Sequence, residues 1–268
     1  TITPFWFILD EATEANPAPP PAVGANGDDT EVFSVAGDWH ADLNGDDRIF
    51  LTGMISVART VPVAPGVIGS ELQTFGLGCE WELDHGLELQ GEAYFQDGDL
   101  DKDVGFKGYA VTLGATWRLP VTFDPVLGLR YDRLSGDDNP NDRSCKAFVA
   151  PWESISDSLI VEHERYGELS EVLVGNLEDV KVSVEYALAD KILTLKALYG
   201  YYKTVVDVGG RDDFGQEFDL SARWRLNGYT TISGFAAVFM PGDAWKNATG
   251  STDDDEVTLF GISAHATF

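Results

Sequence analysis

The sequence predicts an all-β chain: a transmembrane, antiparallel up-and-down β-barrel of about twelve strands. Three observations predict it. Apolar and polar residues alternate with period two over stretches of roughly ten residues, while helical i, i+3, i+4 spacing is almost absent. The connections between stretches alternate between short turns and long loops. Several stretches also end alike: "EWELDHG" (80–86), "TWRLPV" (116–121), "RWRLNG" (223–228) and the softer "VEYALADK" (184–191) place an aromatic two positions before a Leu, then turn.

Composition narrows the alternatives. The 268 residues suffice for one large or two small domains. Asp and Glu outnumber Lys and Arg by 45 to 18, a formal net charge of −27. That balance excludes nucleic acid as a partner, since phosphate binding needs clustered Lys and Arg. No uncharged apolar run reaches the length of about 18 residues that a membrane-crossing helix needs. No signal peptide is visible at "TITPFWFILD", so the chain reads as a mature or shortened form. Cys79 reads as a small apolar strand residue and Cys145 as a loop residue; no metal or redox spacing links them, and a disulfide is not expected.

The strands follow in order. The stretch 1–10 has ambiguous alternation and contains Pro4, so it is the weakest. Stretches 31–42 and 48–61 flank the turn "LNGDD", and 71–84 and 87–97 flank "DHG". In 87–97, Leu87, Leu89, Gly91, Ala93 and Phe95 face one way and Glu88, Gln90, Glu92 and Tyr94 the other. Stretches 105–119 and 121–135 meet at "LP". In 177–190, Val180, Val182, Val184, Tyr186 and Leu188 oppose Lys181, Ser183 and Glu185, and 192–206 follows after "ADK". In 214–227, Phe218, Leu220, Ala222, Trp224 and Leu226 oppose Asp219, Ser221, Arg223 and Arg225; 229–241 follows after "NG", and 256–268 closes the set. Long connections cover 11–30, 62–70, 98–104, 136–176, 207–213 and 242–255. Short turns at one end and long loops at the other are the layout of an outer-membrane barrel with periplasmic turns. Residues 1–268 are therefore expected to form one barrel domain, with 136–176 a long extracellular loop, in the bacterial outer membrane. The last strand is expected to pair with 229–241 and with the first strand.

The recurring endings have a physical reading. Trp39, Trp81, Trp117, Tyr186, Trp224 and Phe268 fall on the apolar faces of the strands that run down to the short turns. In a barrel they form a ring at one height, where an aromatic body sits among acyl chains and its polar tip among headgroups. Outer-membrane lipid is thus the expected partner of the outer face.

The opposite faces then line the lumen. The basic candidates are Lys107, Arg118, Arg130, Lys181, Lys196, Arg223 and Arg225; the acidic ones are Asp38, Glu80, Glu82, Glu88, Glu92, Asp124, Asp132, Glu185 and Asp219. A Lys or Arg facing lipid at the midplane costs about 2–4 kcal/mol, so these residues point inward. The expected function is a polar channel, or porin, whose opposed charges set selectivity. The alternative is a non-conducting structural or adhesive barrel whose long acidic loops bind a partner or Ca²⁺, and a partner barrel subunit is compatible with either reading. Within the loops, Asp137, Asp138 and Asp142 are candidate weak Ca²⁺ ligands, with plain solvation of the loop the preferred reading. No other cofactor is implied.

The blocks "GEAYFQDGD" (91–99), "GYAVTLGATWRL", "LGLRYDRLSGDDNPNDRSCKAF" (127–148), "GNLEDVKVSVEYALADKILTLKALYGYYK" and "GFAAVFMPGD" (234–243), in this order and spacing, resemble the alginate-export family of outer-membrane porins over residues 71–268. The resemblance implies a bacterial outer-membrane barrel passing anionic polysaccharide or small solutes. Family barrels usually have about eighteen strands, so this chain is similar to their last two-thirds or to a shortened relative. Its acidic charge departs from what an alginate carrier needs. Arg118, Arg130, Arg223 and Arg225 carry over in role, as lumen cations. An enzyme is not expected: His40, His85, His163 and His265 are scattered, and no "GxSxG" context accompanies a serine.

Overall fold

A computed structural model describes residues 2–9, 30–43, 47–60, 71–101, 104–121, 124–139, 141–149, 158–161, 175–188, 192–250 and 255–266. The strands are β1 (Ile2–Leu9), β2 (Thr30–Leu43), β3 (Asp47–Thr60), β4 (Glu71–Leu83), β5 (Leu87–Asp101), β6 (Val104–Phe106), β7 (Tyr109–Arg118), β8 (Val126–Leu134), β9 (Ser144–Cys145), β10 (Leu177–Leu188), β11 (Leu193–Val208), β12 (Arg211–Arg225), β13 (Thr230–Pro241) and β14 (Val257–Ala266). One helix, α1 (Asp243–Thr249), lies between β13 and β14. The twelve long strands form one antiparallel up-and-down sheet in chain order, and they correspond one for one to the twelve expected stretches. The short β6 pairs with β5, and β9 lies parallel to β6.

Alternation fixes the two faces. In β10, Leu177, Asp179 and Lys181 are buried while Val180 and Val182 are exposed; in β12, Glu217 and Asp219 are buried while Phe218 and Leu220 are exposed. An apolar exposed face over a polar buried one is the inverse of a water-soluble sheet and matches a wall between lipid and a polar interior. Among the described residues no helix is long and apolar enough to cross a membrane.

Four details differ from the sequence expectation. The strand expected over 105–119 breaks into β6 and β7 at Lys107 and Gly108, because the loop folds back there: Lys107 N–H donates to Cys145 O, and a Cβ on Gly108 would meet Phe148 Cα at 2.8 Å. The strand expected from 121 starts at Val126, leaving Asp124 in the turn with φ +40°. The loop expected at 207–213 is a tight hairpin, since Gly209 and Gly210 take φ of +62° and +79° and let β11 and β12 run on to the turn. Closure also differs: β14 pairs with β13, β1 pairs with β2, and no β1–β14 pairing joins the sheet edges among the described residues. Phe260 and Ile262 on β14 are 83% and 81% exposed, as expected for a strand with a neighbour on one side only.

Candidate functional site

The outer face carries the aromatic positions. Trp39, Trp81, Trp117, Tyr186 and Trp224 are all exposed and all lie near the short-turn ends of their strands. Their partners on that face are apolar: Trp39 opposite Leu51, Trp81 opposite Ile49 and Leu89, Trp117 opposite Leu87 and Leu127, Trp224 opposite Leu193 and Ile232. Phe268 lies outside the described residues.

The inner face divides into three zones. The first is a buried ion-pair network on β7, β8 and β10. The Lys181 ammonium lies 3.0 Å from Asp132 and 3.1 Å from Asp179. Arg130 Nε donates to Asp132 at 2.7 Å, and the Thr112 hydroxyl donates to the same carboxylate at 2.6 Å. The register builds this cluster, because Lys181 faces Arg130 and Asp179 faces Asp132. Two of the expected lumen cations, Arg130 and Lys181, are therefore neutralised within the wall.

The second zone is at the short-turn end. Arg118, at the end of β7, and Arg223 and Arg225, at the end of β12, are exposed, and none makes a salt bridge to another described residue. Lys196 on β11 is half-buried, opposite Glu185 and diagonally across from Asp219. Glu88 is half-buried opposite Glu82 and Thr116, and Glu92 accepts a 2.9 Å hydrogen bond from Tyr94. Lys107 lies apart from this zone, at the long-loop end, exposed in the break between β6 and β7 and outside any strand.

The third zone, on β10–β14, holds residues 158–161 of the chain's own long loop. Ile160 and Val161 are buried with Leu177, Tyr202, Phe214, Ala237 and Phe239 in the main apolar cluster, and Trp245 of α1 packs against it. Fully buried Glu217 accepts hydrogen bonds from three successive backbone N–H groups, of Leu159, Ile160 and Val161, at 2.9, 2.6 and 2.9 Å. Asp219 accepts a second bond from the Leu159 N–H at 3.0 Å. Asp219 is one of the acidic residues expected in the lumen, and Glu217 and Asp179 lie outside that expected set. Both share the parity of the inward residues beside them, so the alternation carried the signal one step further along each strand.

The candidate Ca²⁺ ligands do not converge. Among the described residues no group of three or more His, Cys, Asp or Glu side chains is placed to hold a metal ion. Lys146 instead occupies the middle of the loop, bonded to Asp138 and 3.4 Å from Asp142. Asp137 accepts from the Asn139 N–H and Asp142 from the Ser144 N–H. The Lys146 ammonium holds the Asp138 carboxyl below the usual carboxylate range, and hydrogen bonding to Asp138 raises Lys146 in turn. Cys79 and Cys145 are both free. His265 and Ser263 lie exposed on β14 with no hydrogen bond between them.

A single antiparallel sheet with an apolar, aromatic-bearing outer face and a charged inner face defines an outer-membrane β-barrel of the channel-forming kind. The chain belongs to the alginate export family, whose profile matches residues 25–258, and it resides in the bacterial outer membrane. Among solved structures it is similar to CdiB from Acinetobacter baumannii at 12% identity and a TM-score of 0.51, covering 92% of this chain and 45% of that one. It is similar to the KdgM porin at 8% identity and a TM-score of 0.37, covering 90% of this chain and 93% of that one. It is also similar to the outer membrane protein OprD from Pseudomonas aeruginosa at 13% identity and a TM-score of 0.46, covering 89% and 65% respectively. No curated protein matches the chain in sequence.

Proposed function

We propose that residues 1–268 act as one barrel domain, a porin that passes small hydrophilic solutes or anionic oligosaccharides. The observation that carries this reading is the set of arginines at the short-turn end, Arg118, Arg223 and Arg225, which lack salt-bridge partners among the described residues. Cations held in the wall without local counter-ions attract carboxylated solutes, as rings of charged side chains do in channels generally. Lys196, Glu88 and Glu92 line the path between them and the middle of the wall, while Arg130 and Lys181 hold the wall together. The five described aromatics seat the barrel at the headgroup level. Acid in the long loops concentrates small cations at the outer mouth, an effect that fades within about 10 Å at 0.1 M salt.

The burial of Ile160 and Val161 against the wall favours a second reading, a non-conducting barrel that presents its acidic loops to a partner. Planar-bilayer recording separates the two. A porin gives stepwise conductance with reversal potentials leaning toward cations at low salt, and a scaffold gives none.

A further inference from the structure

One described part of the long loop, Ser158–Val161, lies against the inner face of the wall. Ser158–Val161 spells "SLIV", and all but Leu159 of it is buried. Backbone N–H groups taken out of water need partners, and here three in a row find one carboxylate. Charge-assisted bonds of this kind are shorter and stronger than neutral ones. Glu217 faces Gly200 on β11 and Phe239 on β13, and Phe239 faces Val257 at the start of β14, so the bonds place the segment against the inner wall toward its long-loop end. Asp219 secures Leu159 one step further along the same strand. Ile160 and Val161 add an apolar anchor in the cluster formed by Leu177, Tyr202, Phe214 and Phe239, and Trp245 of α1 covers it. Two independent anchors, one polar and one apolar, thus hold one stretch of chain inside the space a solute must cross.

We propose that Ser158–Val161 is a constriction fixed to Glu217 and Asp219, and that it limits passage to small charged solutes of one or two sugar units while excluding polysaccharide chains. The proposal rests on the porin reading. It makes Glu217 a positioning residue, acting through the segment it holds and not by touching solute.

The test uses the full chain with Cys79→Ser and Cys145→Ser, folded into detergent and lipid, with folding checked by heat-modified gel mobility. Val161→Cys in this background reports whether the segment is seated, through reaction with a maleimide too large to enter packed protein. The thiol should be protected, and Glu217→Gln should speed its labelling roughly tenfold by releasing the segment. In bilayers and in liposome swelling, Glu217→Gln and, separately, Ile160→Ser with Val161→Ser should raise conductance by about twofold and admit uronate trimers that the parent excludes. The double serine variant leaves the wall carboxylates intact, so agreement between the two cannot come from lost wall charge. A thiol that reacts freely before any wall substitution overturns the proposal. So does released labelling with conductance and size limit unchanged, which leaves the porin reading standing. No current from the parent or either variant defeats the porin reading itself, and the constriction with it.

Discussion

Lys181 on β10 and Asp132 on β8 hold each other across a strand boundary, Nζ to Oδ2 at 3.0 Å, with both side chains buried in the inner wall. Asp179 stands 3.1 Å from the same ammonium. Removing one member of a buried pair leaves the other charge uncompensated, typically at about 3–5 kcal/mol. Lys181→Met should therefore destabilise the folded barrel toward the lower end of that range, because Arg130 still serves Asp132. Urea unfolding in detergent, followed by gel mobility, reads the loss. A variant within about 1 kcal/mol of the parent would mean that the cluster is solvated like a surface pair.

The aromatic band predicts a depth. Single-tryptophan variants keeping Trp81, Trp117 or Trp224, each exposed on the outer face, should be quenched strongly by lipids labelled near the headgroup and weakly by lipids labelled at the chain end. Trp245 packs into the inner apolar cluster and should respond to neither. Equal quenching of Trp245 and Trp224 would remove the distinction between the two faces.

The loop at Asp138 and Lys146 predicts a pH window. The Asp138 carboxyl is held low, so its contribution is present above the ordinary carboxylate pKa and lost as pH falls through the depressed value. Lys146 is held high, so its contribution is present below the ordinary lysine pKa and lost as pH climbs through the raised one. The Asp138 side-chain carboxyl resonance should move at the acid limit and the Lys146 side-chain resonance at the alkaline one. Lys146→Met should alter the acid limb. Millimolar Ca²⁺ should move neither resonance, and a saturable Ca²⁺ shift would restore the metal reading that the geometry disfavours.

The β11–β12 turn predicts an asymmetry between adjacent glycines. Both have positive φ, where a side chain costs roughly 1 kcal/mol. At Gly210 an added Cβ meets nothing within 4 Å, whereas at Gly209 it comes to 2.8 Å from Asn247 Nδ2, which donates to Val208 O. Gly209→Ala should therefore cost more than Gly210→Ala, by about a further 1 kcal/mol. Matched unfolding curves for the two variants check it.

Much of this fold was legible because a barrel wall needs one simple pattern. Val180, Val182 and Tyr186 against Lys181, Ser183 and Glu185 already define two faces, and the same period located the long strands from β2 onward, while that of 1–10 is ambiguous. What escaped depends on contacts distant in sequence. The β6–β7 break arises from residues 145–148 folding back onto 107–108, which no local pattern at 105–119 records. The Gly209–Gly210 hairpin was readable in principle, since paired glycines favour that turn, but the acid at 211–213 read as loop. The seat of Ser158–Val161 on Glu217 spans 56 to 58 positions between bonded residues, and the apolar run inside an acidic loop was its one local sign. Neutralisation of Arg130 and Lys181 likewise needed the β8–β10 register, across a long connection, before it could be seen.

A barrel that conducts and whose short-turn end offers cations to carboxylated solutes should change its reversal potential, and its block by added uronate oligomers, when Arg223→Ser and Arg225→Ser are combined. Both arginines are exposed at the end of β12 and form no salt bridge with a described residue, so their removal should leave the fold intact. The variant should show a stronger cation preference and weaker uronate block. Unchanged reversal potential and unchanged block would place these arginines off the path and contradict the inner face assigned to β12.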